Sequence, residues 1–253
     1  MSGHSKWAGI KHKKAIIDAK RGKVFTRLIR EIVVAAKEGG GNIENNARLR
    51  KAIESAREAN MPQDNIKKAV QRGTGELPGA IYEELNYEGY GPAGVALIVE
   101  ITTDNKNRTA SEIRKIFSQH GGNMGEAGCV SWMFSKKGYI SVDKKKINED
   151  QLMTIVLDLG VEDLRTEDED IYEIFAKPED FEAVKKGLEQ KNVVIDTAEV
   201  SPQPQTYIKL QGKDAEQMIA LMDELEGHDD VKNVYSNFEI SNAEIERIEK
   251  MQK

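Results

Sequence analysis

The chain has 253 residues, with 37 Lys and Arg against 43 Asp and Glu, a formal net charge of −6 and a single cysteine, Cys129. No apolar run approaches the ~18 residues of a membrane-spanning helix, and the opening residues lack the apolar stretch of a secretory signal. One cysteine excludes an internal disulfide or a multi-cysteine zinc site, so the expectation is a reduced, cytoplasmic protein of two or three domains with no membrane partner.

Charge is unevenly placed along the chain. Residues 1–76 hold 17 basic and 8 acidic residues, a net of +9, while residues 77–253 hold 20 and 35, a net of −15. Within the first thirty residues nine basic positions face one acid, Asp18. A split of this kind marks an interaction arm on a body of opposite charge. Lys6 to Arg21 precede any apolar stripe, so an extended or fraying arm is expected there. Phe25, Leu28, Ile29, Ile32, Val33 and Ala36 then recur at helical spacing, and Gly39 to Gly41 close the helix. A second stripe runs through Leu49, Ala52, Ile53 and Ala56. Pro62 suits the first turn of a third helix carrying Ile66, Ala69 and Val70, with Gly73 at its end. The glycine-rich junction from Gly73 to Gly79 is the clearest boundary and is expected to let this head swing.

Beyond the junction the period changes. Val95–Ile101 and Cys129–Phe134 read as strands, and Thr109–His120 as a helix with Ala110, Ile113, Ile116 and Phe117 on one face. Tyr139–Val142, Glu149–Leu159, Val161–Arg165, Tyr172–Ala176, Pro178–Gln190 and Val193–Val200 give the βαββαβ order of the ferredoxin-like motif. Past a breaker at Ser201–Pro204, a strand at Thr206–Leu210, a helix at Ala215–Leu225 and a strand at Val231–Phe238 lack partners in that motif. They are expected to complete the sheet begun before residue 135. The fold class is therefore α+β and multidomain: a basic three-helix domain at 1–76, an α+β domain at 80–135 plus 204–240, a ferredoxin-like α+β domain at 136–203 inserted in it, and a charged tail at 241–253.

The motifs of catalysis are missing. No GxxxxGK[ST] loop or HExxH pair occurs, so neither a cofactor nor a metal is expected. His4 and His12 lie in a basic stretch that repels cations, and Cys129, near His120 and Glu126, reads as a buried core residue. Scattered carboxylates such as Glu100, Asp104 and Glu112 are more simply a solvated face than a hydrolytic pair, and no catalytic residue is assigned.

The positive signal is Lys6, Trp7, Lys11, His12, Lys13, Lys14, Lys20, Arg21, Lys23, Arg27 and Arg30. Lysine and arginine release counterions from a phosphate backbone, arginine adds bidentate contacts, and Trp7 and His12 are suited to bases or sugars. Lys67, Lys68 and Arg72 widen the basic face, but the spacing does not look like a DNA-reading helix-turn-helix, because no second helix carries a fan of base-reading Arg, Asn and Gln. Non-enzymatic nucleic-acid binding is the expected activity.

Gly3–Lys14 (GHSKWAGIKHKK), Asp18–Phe25 (DAKRGKVF), Tyr87–Val99 (YEGYGPAGVALIV), Thr103–Ser111 (TDNKNRTAS) and His120–Phe134 (HGGNMGEAGCVSWMF) closely resemble the YebC family, which includes the translational activator of cytochrome c oxidase. Gly9 stands where that family commonly has Asn, and Ala93 where it commonly has Gly. The resemblance implies a helical domain followed by two α+β domains around a central cleft. It implies two functions: a factor that relieves stalled ribosomes, notably at proline runs, with rRNA or tRNA as partner, or a transcriptional regulator that binds DNA. The first is the leading expectation, and the acidic cleft is offered to a protein or RNA partner.

Overall fold

The computed structural model of the protein describes residues 19–251. Helix α1 (Ala19–Gly39) begins before the apolar stripe and buries Ile32, Val33, Ala35 and Ala36. It stops where Gly40 takes the left-handed conformation, φ 78°. Asn46 then joins two helices. Its side chain accepts from the Leu49 amide at 2.9 Å, capping α2 (Ala47–Glu58), and donates to the Ala35 and Gly40 carbonyls, each at 2.8 Å. Helix α3 (Gln63–Gly73) follows a turn of residues 59–62, with Pro62 as its N-cap residue. Leu49, Ala52, Ile53, Ala56, Met61, Ile66 and Ala69 close one core with α1. Gly73 is pressed onto α1, since a Cβ there would stand 2.5 Å from the Val33 carbonyl.

Strands β1 (Glu83–Tyr90) and β2 (Ala96–Thr103) form an antiparallel hairpin in full register, Glu83 opposite Thr103 and Tyr90 opposite Ala96. Its turn holds Ala93 at φ 54°. Helix α4 (Lys106–Gln119) is capped by Asn105 and buries Thr109, Ile113, Ile116 and Phe117, and the short β3 (Asn123–Met124) follows. Next come β4 (Phe134–Asp143), α5 (Glu149–Leu159), β5 (Asp163–Arg165), β6 (Ile171–Ala176), α6 (Phe181–Gln190), β7 (Thr197–Pro204) and β8 (Ile208–Lys209). The chain ends in α7 (Gly212–Gly227), β9 (Val231–Ser236), β10 (Phe238–Glu239) and α8 (Asn242–Met251).

Two compact units result. Among the described residues, one contains those up to 129 together with 213–234, and the other contains 130–212 with 235–251. In the first, the three-helix head accompanies a sheet of order β3-β1-β2-β9. In this central position β2 buries seven of its eight residues, all but Glu100, which is why five of the eight are apolar. In the second unit, the antiparallel sheet β5-β6-β4-β7 has the ferredoxin-like order. Ile140, Val142, Ile174, Leu152, Val156, Val184 and Leu188 pack between its sheet and α5 and α6. The fold class is thus α+β and multidomain, and in chain order the ferredoxin-like segment falls after β3 and before β9.

Three local expectations are corrected. Cys129–Phe134 is not a strand: Gly128 turns the chain at φ 90°, residues 131–133 form a short 3₁₀ turn, and only Phe134 enters β4. Cys129 is accordingly half-buried rather than a core residue. Ser201–Pro204 does not break the chain but ends β7, with Pro202 opposite Lys136 and Pro204 opposite Phe134. Edge strands tolerate proline because one row of their amides needs no partner, and β7 lies at the edge. Finally, β8 pairs in parallel with β10, Ile208 opposite Phe238, instead of joining the first sheet.

Candidate nucleic-acid interface

Of the eleven residues assigned from sequence, Lys6, Trp7, Lys11, His12, Lys13 and Lys14 lie outside the described residues, and Lys20 and Arg21 fall in the first turn of α1. The other three converge on the end of α7. Lys23 Nζ donates to the Gly227 carbonyl at 2.7 Å, Arg27 to the carbonyls of Glu226 and, at 3.2 Å, His228, and Arg30 to the Asp229 carbonyl at 2.5 Å. A helix C-terminus presents unsatisfied carbonyls and the negative end of the helix dipole, so cations settle there without any ligand. Burial pushes the Arg27 guanidinium pKa down, partly offset by the charges of Glu226 and Asp229.

Arg30 reaches further, to Asp230, with an ion pair of 2.7 Å. The Asp230 side chain is only 3% exposed and gathers a receptor around itself: Arg108 at 2.7 Å, the Thr109 hydroxyl at 2.6 Å and the Thr103 hydroxyl at 3.1 Å. Burial alone would push this carboxyl up; the Thr109 and Arg108 hydrogen bonds and the Arg30 and Arg108 charges outweigh it and hold its pKa at about 2. The TDNKNRT run is therefore built around one carboxylate. Asn105 caps α4, and Thr103, Arg108 and Thr109 converge on Asp230.

A cleft of about 570 Å³ opens beside this node, lined among others by Lys23, Arg108, Glu112, Lys115, Glu224 and His228. His228 Nδ1 accepts from the Asp230 amide at 3.1 Å, so Nε2 carries the ring proton and donates to Glu112 at 2.9 Å. Glu112, His228 and Asp230 bring ligand-type atoms within 4.8 Å of one another. Two guanidiniums already stand at the Asp230 oxygens, which places positive charge where a metal ion would sit. Asp104 and Glu112 come to the same cleft but are drawn to Arg108, at 2.9 and 3.9 Å, while Glu100 pairs with Asn233 at 2.8 Å. His120 pairs with Glu224 at 2.5 Å.

A second network, adjoining the first, also holds the head. Arg48 binds Glu31 at 2.8 Å, Glu38 at 2.7 Å and Glu84 at 2.6 Å, and Lys232 bridges Glu31 and Glu84. Burial opposes ionisation of Glu31 and Glu84, yet Arg48 and Lys232 hold both below the usual carboxylate range. The glycine-rich junction does not leave the head free to swing: residues on both sides of it are joined by these two networks.

Other cations of the head are left for a ligand. Arg50, Lys51 and Arg57 on α2, and Lys67, Lys68 and Arg72 on α3, are all exposed and form no ion pair among the described residues. Sequence reasoning noted the α3 group and passed over the α2 group. Its signal was present: all three α2 residues fall outside the apolar stripe that α2 buries.

A family model described as TACO1/YebC protein N-terminal domain matches residues 5–76, and one described as TACO1/YebC second and third domain matches residues 82–238. A probable transcriptional regulatory protein of Endomicrobium trichonymphae is 65% identical over 249 residues, covering 98% of this chain and 99% of its own. A protein of the same description from Dictyoglomus turgidum is 57% identical over 241 residues, 95% of this chain and 96% of its own. The crystal structure of a conserved hypothetical protein from Aquifex aeolicus superposes with a TM-score of 0.76 at 46% identity, over 89% of this chain and 93% of that one.

Proposed function

Because the chain belongs to the TACO1/YebC family, we propose that it is a non-enzymatic regulator of gene expression that binds nucleic acid through its helical head. The observation that carries this reading is the set of six exposed cations on the successive helices α2 and α3 that form no ion pair among the described residues, whereas Lys23, Arg27, Arg30 and Arg48 of the same head are engaged by carbonyls and carboxylates. Phosphate neutralisation needs charges of that kind. The relatives' descriptions as transcriptional regulatory proteins support DNA as the polymer. The purified chain should then hold a cognate duplex at least about a thousandfold more tightly than random duplex at physiological salt. A flat ratio would remove the DNA reading.

The uneven charge favours a second reading, a translation factor acting on a stalled ribosome. The net −15 of residues 77–253 is repelled by a long duplex but tolerates one localised contact with structured RNA. On this reading the chain co-sediments with ribosomes, and its deletion raises ribosome occupancy at proline runs. Unchanged occupancy would sink it.

A further inference from the structure

The burial pattern of the head assembles a feature that residue spacing alone did not. Helix α2 ends at Glu58 and α3 begins at Gln63, so four residues reverse the chain. Asn60 takes the left-handed conformation at φ 59°, and Met61 anchors the turn at 5% exposure. A short reversal of this type between two helices is the helix-turn-helix arrangement, with the second helix presented outward. Both helices share their core with α1, and α3 turns Ile66, Ala69 and Gly73 toward it.

The opposite side of α3 carries Asp64, Lys67, Lys68 and Gln71, spaced i, i+3, i+4 and i+7. The first three are exposed and Gln71 is half-buried. These side chains match the donor and acceptor code of base edges: lysine toward guanine O6 and N7, glutamine toward adenine N6 and N7, aspartate toward cytosine N4. Gln63, Asn65 and Arg72 flank the stripe, all exposed. On α2, Arg50 and Arg57 lie two turns apart on one face with Lys51 beside them, the position from which a first helix crosses the phosphate backbone. A row of hydrogen-bonding side chains bordered by Arg50, Lys51, Arg57 and Arg72, four cations that form no ion pair among the described residues, is complementary to a groove bordered by phosphates.

We propose that α2, the 59–62 turn and α3 form a helix-turn-helix unit that docks on duplex DNA, with α3 in the major groove and its Asp64, Lys67, Lys68 and Gln71 reading base edges. The inference rests on the DNA reading above and goes beyond it by naming the reading helix.

The test uses the full chain and a random duplex library, from which wild-type protein selects a preferred sequence. Affinity for that duplex, for a scrambled duplex and for a single-stranded RNA of the same length is then measured by fluorescence anisotropy. Three variants accompany the wild type: Gln71→Ala, Lys67→Ala with Lys68→Ala, and Arg50→Ala with Arg57→Ala. All the changed residues lie outside the buried core, and unchanged circular dichroism and melting temperature verify the fold. Gln71→Ala should relax the preference at one base position, losing about tenfold against the selected duplex while scarcely changing binding to the scrambled one. The α2 double variant should weaken both duplexes equally and make the salt slope shallower by roughly one unit per lost contact. A wild type that selects no duplex sequence removes the DNA reading itself. A wild type that selects a sequence, with affinity and preference intact in every α3 variant, overturns the assignment of α3 and leaves the DNA reading standing. Larger losses toward the RNA than toward the duplex also overturn it, in favour of RNA.

Discussion

At Asp230, in the α7–β9 turn, the head and α4 converge. Its pKa is held at about 2 against an ordinary value of 3.8, so its folded state favours the ionised form. The resulting stabilisation, about 2 kcal/mol, is complete above the unfolded value and is lost as pH falls through about 2. Asp230→Asn should therefore lower the melting temperature at pH 7, and the gap to wild type should narrow between pH 4 and pH 2. A gap independent of pH would refute the assignment. Ala93 offers the opposite case. It stands in the β1–β2 turn at φ 54°, a conformation that costs an L-residue roughly 1 kcal/mol and glycine almost nothing. Glycine is what the resembled family commonly carries there. Ala93→Gly should raise stability by about 0.5–1 kcal/mol in denaturant unfolding, despite the added freedom of the unfolded chain.

Elements were legible where punctuation was local. Helix α5 begins and ends where periodicity placed it, because Asn148 caps the Gln151 amide at 2.8 Å and Gly160 takes φ 67° just past its end. The segment at Cys129–Phe134 had strand-forming composition, but the neighbouring glycine set its path, and composition does not encode φ. Prolines in β7 misled for a related reason: whether an amide needs a partner depends on edge position, which is a property of the sheet and not of the segment. Within the head, the junctions between helices hold the energy. Asn46→Ala removes a cap, one buried and one part-buried hydrogen bond, and should cost about 2–3 kcal/mol. Gly73→Ala forces α3 away from the Val33 carbonyl and should cost about 1–3 kcal/mol. Chemical denaturation measures both, and a neutral result for either would show the junction to be plastic.

For the molecule as a whole, the charge split was readable in the sequence but its use was not. Counting cannot separate a lysine that faces solvent from one that caps a helix 200 residues away, and Lys23, Arg27 and Arg30 are of the second kind. This distinction is measurable. Replacing Lys23 and Arg27 by Ala should lower the melting temperature and leave the salt slope of nucleic-acid binding nearly unchanged. Replacing Lys11, Lys13 and Lys14 by Ala should leave the melting temperature alone and make that slope shallower by roughly one unit per lost phosphate contact. The opposite pairing of results would return the α1 cations to the binding surface.

The order of the chain gives the α7–β9 turn a role in time. Arg30 emerges from the ribosome about 200 residues before Asp230, which at ~5–20 residues per second is a wait of roughly 10–40 s. Throughout that interval the head has its guanidiniums but none of the carbonyls and carboxylate that later neutralise them. The sheet is equally unfinished, because β9, which lies beside β2, is among the last elements made. The nascent head is thus more cationic in effect than the finished protein, at the moment when it is closest to ribosomal RNA. Docking of the end of α7 and the α7–β9 turn onto α1 is the step that engages those charges.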